Sequence, residues 1–254
     1  MGLYKWKKLN QLLNSWPSGA VYLASWLHQQ GIGYDLQRKY RTSGWLATIG
    51  TGALVRKGDR FDWVGAIHAL QSQGNFSVHV GGKTALQLQG YAHFIPLGKG
   101  NGLSLYSSNK ENLPKWFRTY NWGYRLEHFC TNLFGSTQIG LLEKDQGTLK
   151  IKISSPERAI MEFLYLVPQE ESFEEAVLLM EGLTTLRPKI TQELLELCTS
   201  TKVKRLFLYL AENCNHAWVK KLDLSKINLG VGKRQIVEGG HLNTKYNITV
   251  KVAS

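Results

Sequence analysis

Residues 21–60 read VYLASWLHQQ GIGYDLQRKY RTSGWLATIG TGALVRKGDR. An apolar helix carrying Val21, Leu23, Ala24 and Leu27 is expected to end at Gly31. Gly31, Ile32 and Gly33 make a tight turn. A second helix is expected over Tyr34–Ser43, with Leu36 and Tyr40 facing inward at i,i+4 spacing. Tyr34, Gln37, Arg38, Lys39, Arg41 and Thr42 are left for its outer face. Gly33 takes the N-cap position and Asp35 suits the dipole of the first turn. Two short strand-like runs follow, joined by Gly50-Thr51-Gly52. Helix, glycine turn, basic helix and hairpin is the order of a winged helix-turn-helix. Its second helix enters the major groove while the hairpin reaches the flanking backbone.

The chemistry of the outer face fits that partner. Arg38 and Arg41 lie one turn apart, within reach of guanine edges or phosphates, and Gln37 is a residue type that reads adenine. Arg56, Lys57 and Arg60 in the wing are expected on the DNA backbone, where cations position a protein without specifying sequence.

The charge of the whole chain points the same way. Net charge is +12 over 254 residues. Residues 1–74 hold nine cations against three aspartates, net +6; residues 202–254 hold ten cations against three acids, net +7; the middle therefore carries −1. Two basic ends around a neutral centre form a polyanion-binding pattern. Lys202, Lys204, Arg205, Lys220, Lys221, Lys233 and Arg234 are candidates for secondary contacts to the same duplex.

Length and composition give two domains of an α+β protein: a winged helix over residues 1–74, then a larger mixed α+β domain over 75–254. An amphipathic helix is expected at Tyr4–Asn14, with Trp6, Leu9, Leu12 and Leu13 on one face, and another at Trp63–Gln73. In the second domain strands are expected at Phe76–Val80, Leu103–Ser107, Tyr124–Phe129, Ile139–Glu143, Leu149–Ile153 and Tyr246–Val252. Ser154-Ser155-Pro156-Glu157 is a helix start with serine caps and proline at the first position. Helices are expected from there to Val167, and at Lys83–Gln89, Phe173–Leu183, Lys189–Cys198 and Val203–Cys214.

Catalytic constellations are scarce. Gly82-Lys83-Thr84 ends like a phosphate-binding loop, but Ser77 stands where the first glycine belongs, so a tight strand-to-helix turn is expected instead. Glu143, Asp145 and Lys152 loosely resemble a metal-dependent nuclease core, at spacing that does not match the common ending. With Lys83, these residues carry the alternative reading of a metal-dependent nuclease or nucleotide-binding enzyme targeted by its winged helix. The seven histidines show no metal spacing, and Cys130, Cys198 and Cys214 form neither a Cys-x-x-Cys nor an even disulfide set. No cofactor, metal site or catalytic residue is expected. A third alternative is an interaction module whose basic ends hold RNA or an acidic protein. No apolar run spans a membrane and MGLYKWKKLN lacks the apolar middle of a signal peptide, which places the chain in the cytoplasm.

The segments WPSGAVYLASWLHQQGIGYDLQRKYRTSGWLATIGTGALVRKGD, VHVGGKTALQLQGYAHFIPLG and SSPERAIMEFLYLVP resemble the AbiEi antitoxins of type IV toxin–antitoxin systems, a class tied to abortive infection and phage defence. The resemblance runs from about Leu9 to the C-terminus. It implies a winged helix that binds operator repeats and represses its own operon. It also implies a C-terminal domain that neutralises a nucleotidyltransferase-like toxin encoded alongside, with direct contact between the two not implied. Carried onto this chain, Tyr34–Ser43 would be the DNA-reading helix, Trp45–Val55 the wing, and Gly81–Tyr91 a structural opening of the antitoxin domain.

Overall fold

A computed structural model describes residues 12, 14–91 and 102–251. The helix expected at Tyr4–Asn14 and the end of the last expected strand fall mostly outside these residues. The fold is α+β and divides into two compact units. One comprises residues up to 79 together with 110–126 and 143–152; the other comprises 80–109, 127–142 and 153 onward. Residues 110–126 and 143–152, which lie after the boundary expected at Gly74, return to the first unit.

In the first unit the chain runs β1 (Tyr22–Leu23), α1 (Ala24–Gln29), α2 (Tyr34–Thr42), β2 (Leu46–Gly50), β3 (Ala53–Arg56) and α3 (Trp63–Gln73). Helix α1 starts three residues later than expected, because Tyr22 and Leu23 are extended and pair with Leu54 and Ala53. Gln73 binds the backbone of that short strand on both sides, accepting from the Leu23 N–H at 2.8 Å and donating to the Val21 carbonyl at 3.2 Å. The three strands order β1-β3-β2, all antiparallel. Helix α3 spans the expected residues, and the Asp62 carboxylate caps it by accepting the Val64 N–H at 2.9 Å. Its inner face of Ala66, Ile67, Ala69 and Leu70 is fully buried.

Later elements are β4 (His79–Val80), α4 (Gly82–Leu88), β5 (Gly102–Ser107), α5 (Lys115–Thr119), β6 (Arg125–Cys130), β7 (Leu141–Gln146) and β8 (Leu149–Ser154). Five strands pair in the order β6-β5-β4-β8-β7, with β4 and β8 parallel through Val80 and Ile153. The strand expected from Phe76 shrinks to two residues, because the Phe76 N–H is drawn back to the Leu70 carbonyl at 3.2 Å. The sequence gives no sign of α5 by periodicity, since its five residues are shorter than one amphipathic repeat.

The second unit is dominated by helices α6 (Pro156–Leu166), α7 (Phe173–Gly182), α8 (Pro188–Leu197) and α9 (Thr201–Asn213). Ile160, Phe163 and Leu164 of α6 share one core with Leu179 of α7, Leu194 of α8 and Phe207 of α9. Ser172 and Ser200 cap α7 and α9 through their hydroxyls. Ser155 sits at the N-cap of α6 without a side-chain capping bond; the neighbouring Ser154 hydroxyl is turned to Glu162 instead. Two 3-10 turns, Ala217–Lys221 and Leu224–Lys226, lead to β9 (Arg234–Gln235), β10 (His241–Asn243) and β11 (Ile248–Val250). No described helix is long and apolar enough to cross a membrane.

Candidate nucleic-acid interface

The turn between α1 and α2 is set by Gly31, which holds φ +81°, a conformation that glycine adopts without steric cost. The Gly31 N–H reaches the His28 carbonyl at 3.0 Å and the Ile32 N–H the Leu27 carbonyl at 2.9 Å. This is a Schellman ending, with Leu27 and Ile32 as its buried apolar pair. Helix α2 ends the same way: Gly44 holds φ +75°, its N–H reaches the Arg41 carbonyl, and the Trp45 N–H reaches the Tyr40 carbonyl. These two closures fix where α1 ends and where α2 ends.

Of the residues expected on its outer face, Tyr34, Arg38, Lys39, Arg41 and Thr42 are exposed. Gln37 is not. It is only 3 % accessible, and its amide donates to the Ala24 carbonyl at 2.8 Å and the Ile32 carbonyl at 2.7 Å. The expected adenine-reading role is corrected accordingly: Gln37 staples α2 to α1 and the turn, and its donors face inward. Arg38 pairs with Asp35 at 3.0 Å, with 69 % and 88 % of the two side chains exposed. A pair so open to water is worth about 0–1 kcal/mol and yields readily to a phosphate. The Thr42 hydroxyl donates to the Arg38 carbonyl at 3.1 Å. Tyr34 is 57 % exposed and stacks on His28 at 4.7 Å.

The wing stands beside this helix. Thr48 accepts from the Gly50 N–H and donates to the Gly50 carbonyl at 2.7 Å, which closes a bulge between Thr48 and Gly50. A groove of ≈ 550 Å³ opens between helix and wing, lined by Tyr34, Arg41, Thr48 and Thr51 among others. Past the wing, Lys57 and Arg60 are exposed. Arg56 is half-buried and holds Asp59 at 3.0 Å.

The C-terminal candidates divide. Lys220, Lys221, Lys233 and Arg234 are exposed. Lys204 and Arg205 are buried, at 6 % and 2 % accessibility, and are corrected as DNA contacts. The Arg205 guanidinium donates to the carbonyls of Leu229, Gly230, Gly232 and Asn247 at 2.6–3.2 Å, and so ties the terminal loop to α9. A cation on a helix suggests a solvated face; nothing local in the sequence signals that a loop 24 residues on will wrap it. Lys202 is half-buried and donates to the Tyr165 carbonyl at 2.6 Å, and burial lowers its pKa.

The residues of the enzymatic alternative are placed as follows. The Gly82 N–H donates to the buried Glu162 carboxylate at 3.1 Å, and Glu162 also accepts from Ser154 at 2.7 Å and Arg158 at 2.9 Å. A Cβ on Gly81 would stand 2.2 Å from Glu162. The glycine turn therefore cradles the protein's own carboxylate. Lys83 pairs with Glu175 at 2.6 Å. Glu143 and Lys152 line a shallow groove of ≈ 380 Å³ with His68 and Gln71. Asp145 pairs with Lys150 at 3.8 Å, both exposed. Among the described residues no three His, Cys, Asp or Glu side chains gather into a metal site.

Two family models match the chain. Residues 5–97 match "Transcriptional regulator, AbiEi antitoxin N-terminal domain", and residues 100–251 match "Transcriptional regulator, AbiEi antitoxin, Type IV TA system". A solved structure, the crystal structure of the RV2827C protein from Mycobacterium tuberculosis, is similar at a TM-score of 0.61 and 16% identity, covering 98% of this chain and 91% of that one; this is a likeness of fold. No curated protein matches.

Proposed function

We propose that this chain, which belongs to the AbiEi antitoxin family of type IV toxin–antitoxin transcriptional regulators, represses its own operon through the winged helix and neutralises the operon's toxin through the second unit. The observation that carries the reading is the exposed cationic face of α2, with Arg38, Lys39 and Arg41 held beside the wing by two glycine-closed turns. In this reading α2 lies in the major groove of operator repeats. Arg38 and Arg41 reach base edges or phosphates, and Lys57 and Arg60 hold the flanking backbone. Binding draws its free energy largely from counterions released by these side chains, so affinity falls steeply with salt. Lys220, Lys221, Lys233 and Arg234 supply secondary backbone contacts. The toxin is a nucleotidyltransferase-like protein, the antitoxin itself is not an enzyme, and both act in the cytoplasm.

The test is a mobility shift on the DNA upstream of the gene, over a salt series, for the wild type and Arg38→Ala/Arg41→Ala. Selective binding is expected, with a log–log salt slope shallower by about 1.8 in the variant if both arginines neutralise phosphates. Binding indifferent to operator sequence would sink the repressor reading. Metal-dependent DNA cleavage lost in Asp145→Ala would replace it with the nuclease.

A further inference from the structure

The first unit takes back residues 110–126 from the sequence span matched by the second family model. That segment is basic, with Lys110, Lys115, Arg118 and Arg125 against Glu111. Its helix α5 packs directly on the wing: a Cβ at Gly50, which holds φ +151°, would stand 2.6 Å from the Trp116 Cβ. Trp116 and Phe117 are the buried residues of α5, at 5 % and 0 % accessibility. Lys115 and Arg118, three apart and therefore on one helix face, are exposed. The Arg118 Nε donates to the Leu113 carbonyl at 2.9 Å, which holds the root of the guanidinium in place while the group stays at the surface. Behind α5 an aromatic cluster fixes the segment. Tyr120 lies 4.5 Å from Trp122 and 5.5 Å from Phe61, and the Trp122 indole donates to the Phe117 carbonyl at 2.8 Å.

We propose that α5 is a second DNA-contacting element, in which Lys115 and Arg118 hold backbone phosphates next to those held by the wing. The argument is charge complementarity on an element packed against the wing at Gly50, and it rests on the DNA-binding reading proposed above. Its contacts position the protein and carry no base specificity, as lysine and arginine on phosphates do. It follows that operator binding requires residues beyond the N-terminal family domain.

The experiment compares operator binding of full-length wild type, Lys115→Ala/Arg118→Ala, and a charge-matched control in the second unit, Lys189→Ala/Lys226→Ala, over a salt series. The α5 variant is expected to show a log–log slope shallower by about 1.8 and, at 0.1 M salt, an affinity lower by tens of fold, with operator preference unchanged. The control keeps the wild-type slope, and Lys115→Arg/Arg118→Lys restores it. A wild-type slope for the α5 variant, while Arg38→Ala/Arg41→Ala alters binding, overturns the α5 contact and leaves the repressor reading standing. An equal loss in the control assigns the effect to overall charge and overturns it as well. Absence of operator binding by the wild type overturns both.

Discussion

Replacing Gln37 by leucine separates a structural role from a reading role. The side chain is buried, and it makes two hydrogen bonds of 2.7 and 2.8 Å, to the carbonyls of Ile32 and Ala24. Leucine keeps the volume and removes both donors. Each neutral bond is worth about 1 kcal/mol net, and a buried carbonyl left dry costs about 1–3 kcal/mol. The Ala24 carbonyl still heads the i→i+4 ladder of α1, so the Ile32 carbonyl bears most of the penalty. The apolar gain of leucine offsets part of the sum, which leaves about 2 kcal/mol lost from the first unit. For a unit of about this size that lowers the thermal midpoint by about 8–16 °C. Thermal unfolding followed by circular dichroism measures the loss. Operator selection from randomised sites, run well below the midpoint, measures base preference. The expected result is a lower midpoint with unchanged preference. A variant as stable as the wild type but with altered preference for adenine would refute the reasoning.

Two further predictions concern the second unit. Glu162→Ala strips the buried Arg158 guanidinium of its carboxylate and is expected to cost about 3–5 kcal/mol, read from urea unfolding; a loss under about 1 kcal/mol would show that the network carries no stability. Glu171 is raised from 4.5 to about 7, first by burial, against the pull of Lys83 and helped by Glu175 and Glu127. Its folded form therefore favours the proton: this contribution to stability is full below pH 4.5 and is lost as pH rises through 7. Glu171→Gln is expected to unfold at higher urea than the wild type at pH 8 and at similar urea near pH 4. Parallel pH profiles for the two proteins would count against that assignment.

The winged helix was legible in the sequence because its signals are local. Gly31 and Gly44 mark turns that only a left-handed residue closes, and the apolar spacing of Trp63–Gln73 marks α3. What escaped depends on partners distant in sequence. Polarity sorted Gln37 outward, yet a long amide buries well where two carbonyls wait. Arg205 looked solvated until the terminal loop closed over it. Tyr22 and Leu23 continue the apolar pattern of α1, and only their pairing with β3 makes them a strand. Segment 110–126 was hidden for a different reason: its aromatic and basic residues complete a unit whose other residues lie mostly before position 80.

The chain passes from one unit to the other after residues 79, 109, 126, 142 and 152. Synthesis from the N-terminus therefore delivers the wing long before Trp116 arrives to support Gly50, and delivers Thr148 later still, whose hydroxyl donates to the Ser18 carbonyl at 3.1 Å. A chain cut short before residue 116 has neither support, and one cut short before residue 148 lacks the second. Only chains read well past the middle carry the whole first unit, so the amount of that unit in its complete form tracks translation deep into the reading frame.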